Sequence, residues 1–119
     1  MVALKRSLVI LMALMVVLAM TGVADGGTVT VKAGASGSTF SPKTKSVPKG
    51  TKVVWKNVGT TTHTITSYSS NWSKNTSLAK GNSTSFTFKN SGTFKYRCTI
   101  HSSLSGGVCS GMCGKISVG

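Results

Sequence analysis

From residue 28 onward the apolar residues recur at every second position, in short runs closed off by glycine, proline or asparagine. Thr28–Val31 reads T-V-T-V, Thr51–Trp55 T-K-V-V-W and Thr62–Thr66 T-H-T-I-T. Thr84–Phe88 reads T-S-F-T-F, with Phe86 and Phe88 on one face. Thr93–Arg97 reads T-F-K-Y-R, with Phe94, Tyr96 and then Cys98 on one face, and Lys115–Val118 reads K-I-S-V. Period-two alternation of β-branched and aromatic residues specifies strands with one buried face. Breakers separate the runs at Gly34 to Gly37, Pro42, Pro48-Lys49-Gly50, Gly59, Gly81-Asn82, Asn90-Ser91-Gly92 and Gly106-Gly107. Short strands at this spacing predict one all-β domain, a sandwich or a small barrel. The stretch Asn71–Lys80 holds Trp72, Leu78 and Ala79 without a clear period, and is expected to be loop or a short helical turn.

Residues 1–24 have a different character. Lys5 and Arg6 precede an unbroken apolar run of 13 residues, Leu8 to Met20, and then the small-residue stretch Thr21-Gly22-Val23-Ala24. This is the pattern of a secretory signal peptide, with cleavage before Asp25. A spanning helix needs about 20 apolar residues. The expected organisation is therefore a signal peptide at 1–24 and one domain at 25–119, exported to the periplasm or the cell exterior. If the segment stays uncleaved, the domain would sit on the outer face of the cytoplasmic membrane. The remaining chain has three cysteines, Cys98, Cys109 and Cys113. In an oxidising compartment an odd count leaves one thiol unpaired or bound to a metal.

Charge narrows the chemistry further. Fourteen Lys and Arg face a single acid, Asp25, and the formal net charge is +13. Glycosidases that work with paired carboxylates need two acids. Two-metal hydrolases and Ca²⁺ or Mg²⁺ sites need carboxylate oxygens. A Ser-His-Asp triad could draw only on Asp25. The chemistry must come from His, Cys, Met, hydroxyls or backbone. The basic surface suits acidic redox partners or peripheral contact with an anionic membrane surface, and it also keeps the protein soluble. A nucleic-acid partner is not expected, because the aromatics alternate on core faces instead of lining a basic groove.

Two histidines occur, His63 and His101. His101 lies three residues after Cys98, and Met112 follows before the last run. Two imidazoles, one thiolate and a weak thioether are the donor set of a blue-copper electron-transfer site. A thiolate is soft and stabilises Cu(I), imidazole suits both oxidation states, and a weak axial thioether locks in neither. The rival is a structural zinc site on Cys98, His101, Cys109 and Cys113. That reading leaves His63 and Met112 without a role.

The segments that carry these residues resemble the cupredoxins, in particular the plastocyanin-, amicyanin- and halocyanin-like small carriers. The matching pieces are Phe40-Ser41-Pro42, Val47-Pro48-Lys49-Gly50, V-V-W-K-N-V-G-T-T-T-H-T from Val53, G-T-F-K-Y-R-C-T-I-H from Gly92 and M-C-G-K-I-S-V from Met112. The resemblance implies a Greek-key β-sandwich with one type 1 copper per chain, held by His63, Cys98, His101 and Met112. It implies an electron carrier that is not an enzyme, acts as a monomer and serves redox protein partners. A copper storage or delivery role is the alternative.

One departure from the family pattern stands out. Ten residues separate His101 from Met112, where small members have only a few. This insertion is rich in Ser and Gly and carries Cys109, while Cys113 follows Met112 directly. A Cys109–Cys113 disulfide is expected to pin Met112 in a small ring. Backbone N–H groups near Cys98, with Thr64 and Thr99, are expected to tune the thiolate, and Asn57 to brace the ligand loop. Leu104 and Val108 are expected to form an apolar patch beside His101.

Overall fold

The computed structural model describes residues 26–119. The expected export segment and Asp25 lie outside the described residues. Nine strands follow in chain order: β1 Thr28–Ala33, β2 Phe40–Ser41, β3 Thr44–Val47, β4 Thr51–Asn57, β5 His63–Ser67, β6 Asn75–Leu78, β7 Ser83–Phe88, β8 Gly92–Ser105 and β9 Val108–Val118. They form two mixed sheets, ordered β2-β1-β4-β7 and β3-β9-β8-β5-β6. The pairs β1–β4 and β3–β9 are parallel and the others antiparallel. The expected all-β single domain is what these residues build.

The alternation seen in the sequence explains the packing. In β4, Thr51, Val53, Trp55 and Asn57 are buried, while Lys52 and Lys56 point to solvent. Val31, Ala33, Val53, Trp55 and Phe88 of the first sheet meet Ile65, Tyr96, Cys98, Met112, Ile116 and Val118 of the second in one core. Trp55 sits edge-on to Tyr96 at 5.3 Å and to Phe88 at 6.3 Å between ring centroids. Rings of this size bury roughly 150–250 Å² each, worth about 4–6 kcal/mol at ~25 cal/mol per Å².

Two elements depart from the sequence expectation. Asn75–Leu78 is strand β6, paired with β5 at the sheet edge, and not a loop or helical turn. Its polar N-T-S-L sequence carries no alternation, and backbone pairing to β5 defines it. Just before it, Trp72 packs over Trp55 and donates its indole N–H to the Lys95 carbonyl at 3.1 Å. The Ser/Gly-rich insertion after His101 is also strand. It extends β8 and β9 into a hairpin closed by Gly106-Gly107, with Ser102 opposite Gly111 and Ser105 opposite Val108.

Candidate metal centre

The β8–β9 pairing breaks register at one place. Arg97 pairs with Cys113 and the next pair is Ser102 with Gly111. The four residues 98–101 of β8 therefore oppose the single residue Met112 of β9. An unpaired stretch of this kind re-aims side chains that a regular ladder would send to alternate faces. Here it brings Cys98 and His101 to one point. Ser102 holds the bulge closed: its hydroxyl donates to the Cys98 carbonyl and accepts from the Arg97 guanidinium at 3.1 Å.

His63 opens β5, the strand next to β8, and its side chain meets the other two. The His63 and His101 Nδ1 atoms are 3.2 Å apart, Cys98 Sγ lies 3.8 Å from the first, and 3.5 Å from the second. With metal–nitrogen and metal–sulfur bonds of about 2.0 and 2.3 Å, a trigonal ion separates its nitrogens by roughly 3.1–3.5 Å and nitrogen from sulfur by roughly 3.5–3.8 Å. The triangle of donors thus has the dimensions of one first-row metal ion. His63, Cys98 and Met112 are buried, and His101 is half-buried.

The surroundings prepare the donors for a metal. Burial, and then the neighbouring His101 ring, hold the His63 imidazole below its ordinary pKa, which favours the neutral form that binds metals. The Thr64 backbone N–H donates to Cys98 Sγ at 3.3 Å. The Thr64 and Thr99 hydroxyls hydrogen-bond elsewhere than to the sulfur. They join β5 to β8, with Thr99 N–H donating to Thr64 Oγ1 at 2.9 Å. Asn57 acts on a different loop from the one expected. Its amide donates to the Thr61 and Leu78 carbonyls and accepts from Gly59 N–H, which fixes the segment that leads into His63.

Cys109 and Cys113 form the expected disulfide, and Cys98 is the free thiol. The zinc quartet of Cys98, His101, Cys109 and Cys113 is therefore not assembled, because two of its sulfurs are bonded to each other. Leu104 and Val108 are 41% and 68% exposed, and Ile100, absent from the expected patch, is 57% exposed.

Sequence reasoning expected backbone N–H groups near Cys98 and the Thr64 side chain to tune the thiolate, but did not single out the Thr64 backbone N–H as the donor, since any residue can supply one. It also missed Gly34, which lies in a run of breakers. A Cβ at Gly34 would come within 2.7 Å of His63 Nε2 and 3.0 Å of Gly59 Cα, at φ +81°. Gly34→Ala is expected to cost about 1–3 kcal/mol in thermal unfolding and to weaken metal binding, because strain and contact fall together on the His63 ring. An unchanged melting temperature and metal affinity would refute this.

Residues 7–109 match the family model described as a cupredoxin-like domain. The match includes His63, Cys98 and His101 and stops short of Met112. A search of curated protein sequences returns no match. Among solved structures, a purple cupredoxin from Nitrosopumilus maritimus aligns with TM-score 0.59 at 22% identity, covering 76% of this chain and 98% of that one. A reduced-state amicyanin variant aligns with TM-score 0.63 at 25% identity, covering 82% of this chain and 86% of that one. A Cu(I)-form amicyanin variant aligns with TM-score 0.58 at the same 25% identity and the same 82% and 86% coverage. A copper-containing nitrite reductase from Thermus scotoductus SA-01 aligns with TM-score 0.62 at 25% identity over 77% of this chain, which spans only 22% of that enzyme.

Proposed function

The chain belongs to the cupredoxin-like domain family, and from that premise we propose that it is an exported copper protein carrying single electrons between larger redox partners. The observation that carries this reading is the donor triangle of His63 Nδ1, Cys98 Sγ and His101 Nδ1, closed to within 3.8 Å on every side. These three residues would hold one copper, with Met112, opposite residues 98–101 on β9, as a weak fourth ligand. Copper bound there supplies a Cu(II)/Cu(I) couple.

The chain's own residues do the rest. The Thr64 N–H donated to Cys98 withdraws charge from the sulfur and fixes its direction. Burial of His63, Cys98 and Met112 keeps water from the donors. His101 is the one member of the trio open enough for a partner to reach its ring. Ile100, Leu104 and Val108 on the same hairpin offer apolar contact area. With three donors directed at one point and Met112 opposite residues 98–101 on β9, the site suits transfer of electrons and not turnover of a substrate, and the chain acts as a monomeric carrier and not as an enzyme.

Titrating the metal-free protein with Cu(II) tests this. An intense visible thiolate-to-copper band should rise to an end point of one copper per chain. It should bleach with a one-electron reductant and return on reoxidation. A colourless complex would overturn the reading. A coloured one that loses its copper readily to a chelator and does not cycle would indicate storage or delivery.

Charge supports the kind of partner. Residues 26–119 carry twelve Lys and Arg, the fourteen of the full chain less Lys5 and Arg6, and no acidic side chain. Association with an acidic redox protein should slow by about tenfold or more between low and physiological salt, as stopped-flow mixing would read. A flat salt response would reduce the lysines to a solubility role.

A further inference from the structure

An extended strand holds residues four apart at about 13 Å between Cα atoms. Cys109 and Cys113, joined by their disulfide, are 6.2 Å apart. The chain between them is drawn into a loop at Gly111, which takes φ +95° and lies against the His101 carbonyl, where an added Cβ would come within 2.5 Å. Beyond the loop, Met112, Gly114, Ile116 and Val118 are buried at every second position on the inner face of β9. Cys113 has the opposite parity. With Cys109, it borders a surface groove shared with Tyr68 and Lys95. The bridge therefore closes on the outer side of the strand, directly behind the residue that faces the 98–101 bulge.

We propose that the Cys109–Cys113 disulfide is the positioning element for Met112, holding its thioether opposite Cys98 and His101, and that opening the bridge releases Met112 from the site. Cys113 is buried, and the groove gives a dithiol access to the bridge from the side of the partly exposed Cys109. Reduction moves two electrons and two protons from the dithiol to the two sulfurs, leaving two thiols here and a disulfide in the reductant. The ring 109–113 is then no longer closed covalently, and the position of Met112 depends on the Gly111 turn, the flanking ladder pairs and its own burial. The proposal rests on the copper reading only where copper serves as the probe.

The first measurement needs no metal. Met112 is the only methionine after Met20, so peptide fragmentation can follow it in the full chain. Dilute hydrogen peroxide transfers one oxygen to the thioether, giving the sulfoxide and water. The metal-free chain and its Cys109→Ser/Cys113→Ser variant are compared. Met112 should oxidise about tenfold faster or more in the variant, while amide-exchange protection in β4 and β7 stays the same. Equal rates would overturn the proposal. So would faster oxidation with protection lost across those strands, since the bridge would then staple the whole fold. Should the variant not fold, reduction of the unsubstituted chain by dithiothreitol supplies the same comparison with the same criteria.

Copper then separates this proposal from the reading beneath it. The visible spectrum of the Cu(II) form should differ between bridged and bridge-free chains, and Met112→Leu should erase that difference. Identical spectra in a coloured protein would defeat the positioning role alone. If the unsubstituted chain gives no thiolate band, the copper reading fails and the peroxide rates still decide whether the bridge positions Met112.

Discussion

Cys98→Ser is expected to abolish the intense visible band that Cu(II) produces on the unsubstituted chain, with the far-UV circular dichroism of the sandwich retained. The band requires a thiolate on the copper, and Cys98 is the one free sulfhydryl. No neighbour can replace it, because Cys109 and Cys113 are bonded to each other. A serine hydroxyl does not ionise at neutral pH and lacks the softness that favours Cu(I). The Thr64 N–H that donates to Cys98 Sγ would face a shorter side chain. The cost to stability should stay near 1–2 kcal/mol, since one small buried group replaces another. Loss of metal affinity should exceed the 10–100-fold typical of disturbing an outer-sphere partner, because a direct donor is removed. Equilibrium dialysis and absorption spectra read both quantities. A band of undiminished intensity in Cys98→Ser would remove Cys98 from the ligand set.

The parts of this molecule that could be read from its sequence are those where side chains alone define the structure. β4 is the clearest example: its alternation of Thr51, Val53, Trp55 and Asn57 with solvent-facing residues survives unchanged in the fold. Cys98 and His101 could be paired on paper because they are three residues apart at a strand end. His63 could be added because the donor chemistry asks for a second imidazole. The contact itself, across 35 residues, is made only by pairing β5 with β8. Where backbone pairing decides, the sequence is silent. β6 has no apolar alternation because it is an edge strand hydrogen-bonded to β5. The 102–111 hairpin is polar on most of its length, so it reads as a flexible insertion. Its register comes instead from the Gly106-Gly107 turn and the four-against-one bulge that directs the donors. The bulge has no sequence signature, yet it sets Met112 opposite residues 98–101 of β8 despite the ten residues between His101 and Met112.

Asn57→Ala should join the fold and the site in a single measurement. Asn57 continues the inward phase of Trp55, so its amide is fully buried in a place where an apolar residue would be the simpler choice. It is tolerated because every polar atom is used: Nδ2 donates to Thr61 O at 2.8 Å and to Leu78 O at 2.9 Å, and Oδ1 accepts from Gly59 N at 3.0 Å. Alanine leaves all three partners unmet. The Leu78 carbonyl is buried and bears the full desolvation penalty, while water can reach the other two in part. The expected loss is about 2–4 kcal/mol, and each kcal/mol lowers the melting temperature by about 4–8 °C in a domain of this size. The effect does not end with stability. The freed segment runs from Gly59, which packs on Gly34, to His63 itself, and Gly34 lies against the His63 ring. Copper affinity should therefore fall by about tenfold, as for other residues that orient a ligand without touching the metal. A melting temperature that drops while copper affinity holds would show that β5 pairing alone places His63, and that Asn57 serves only the fold.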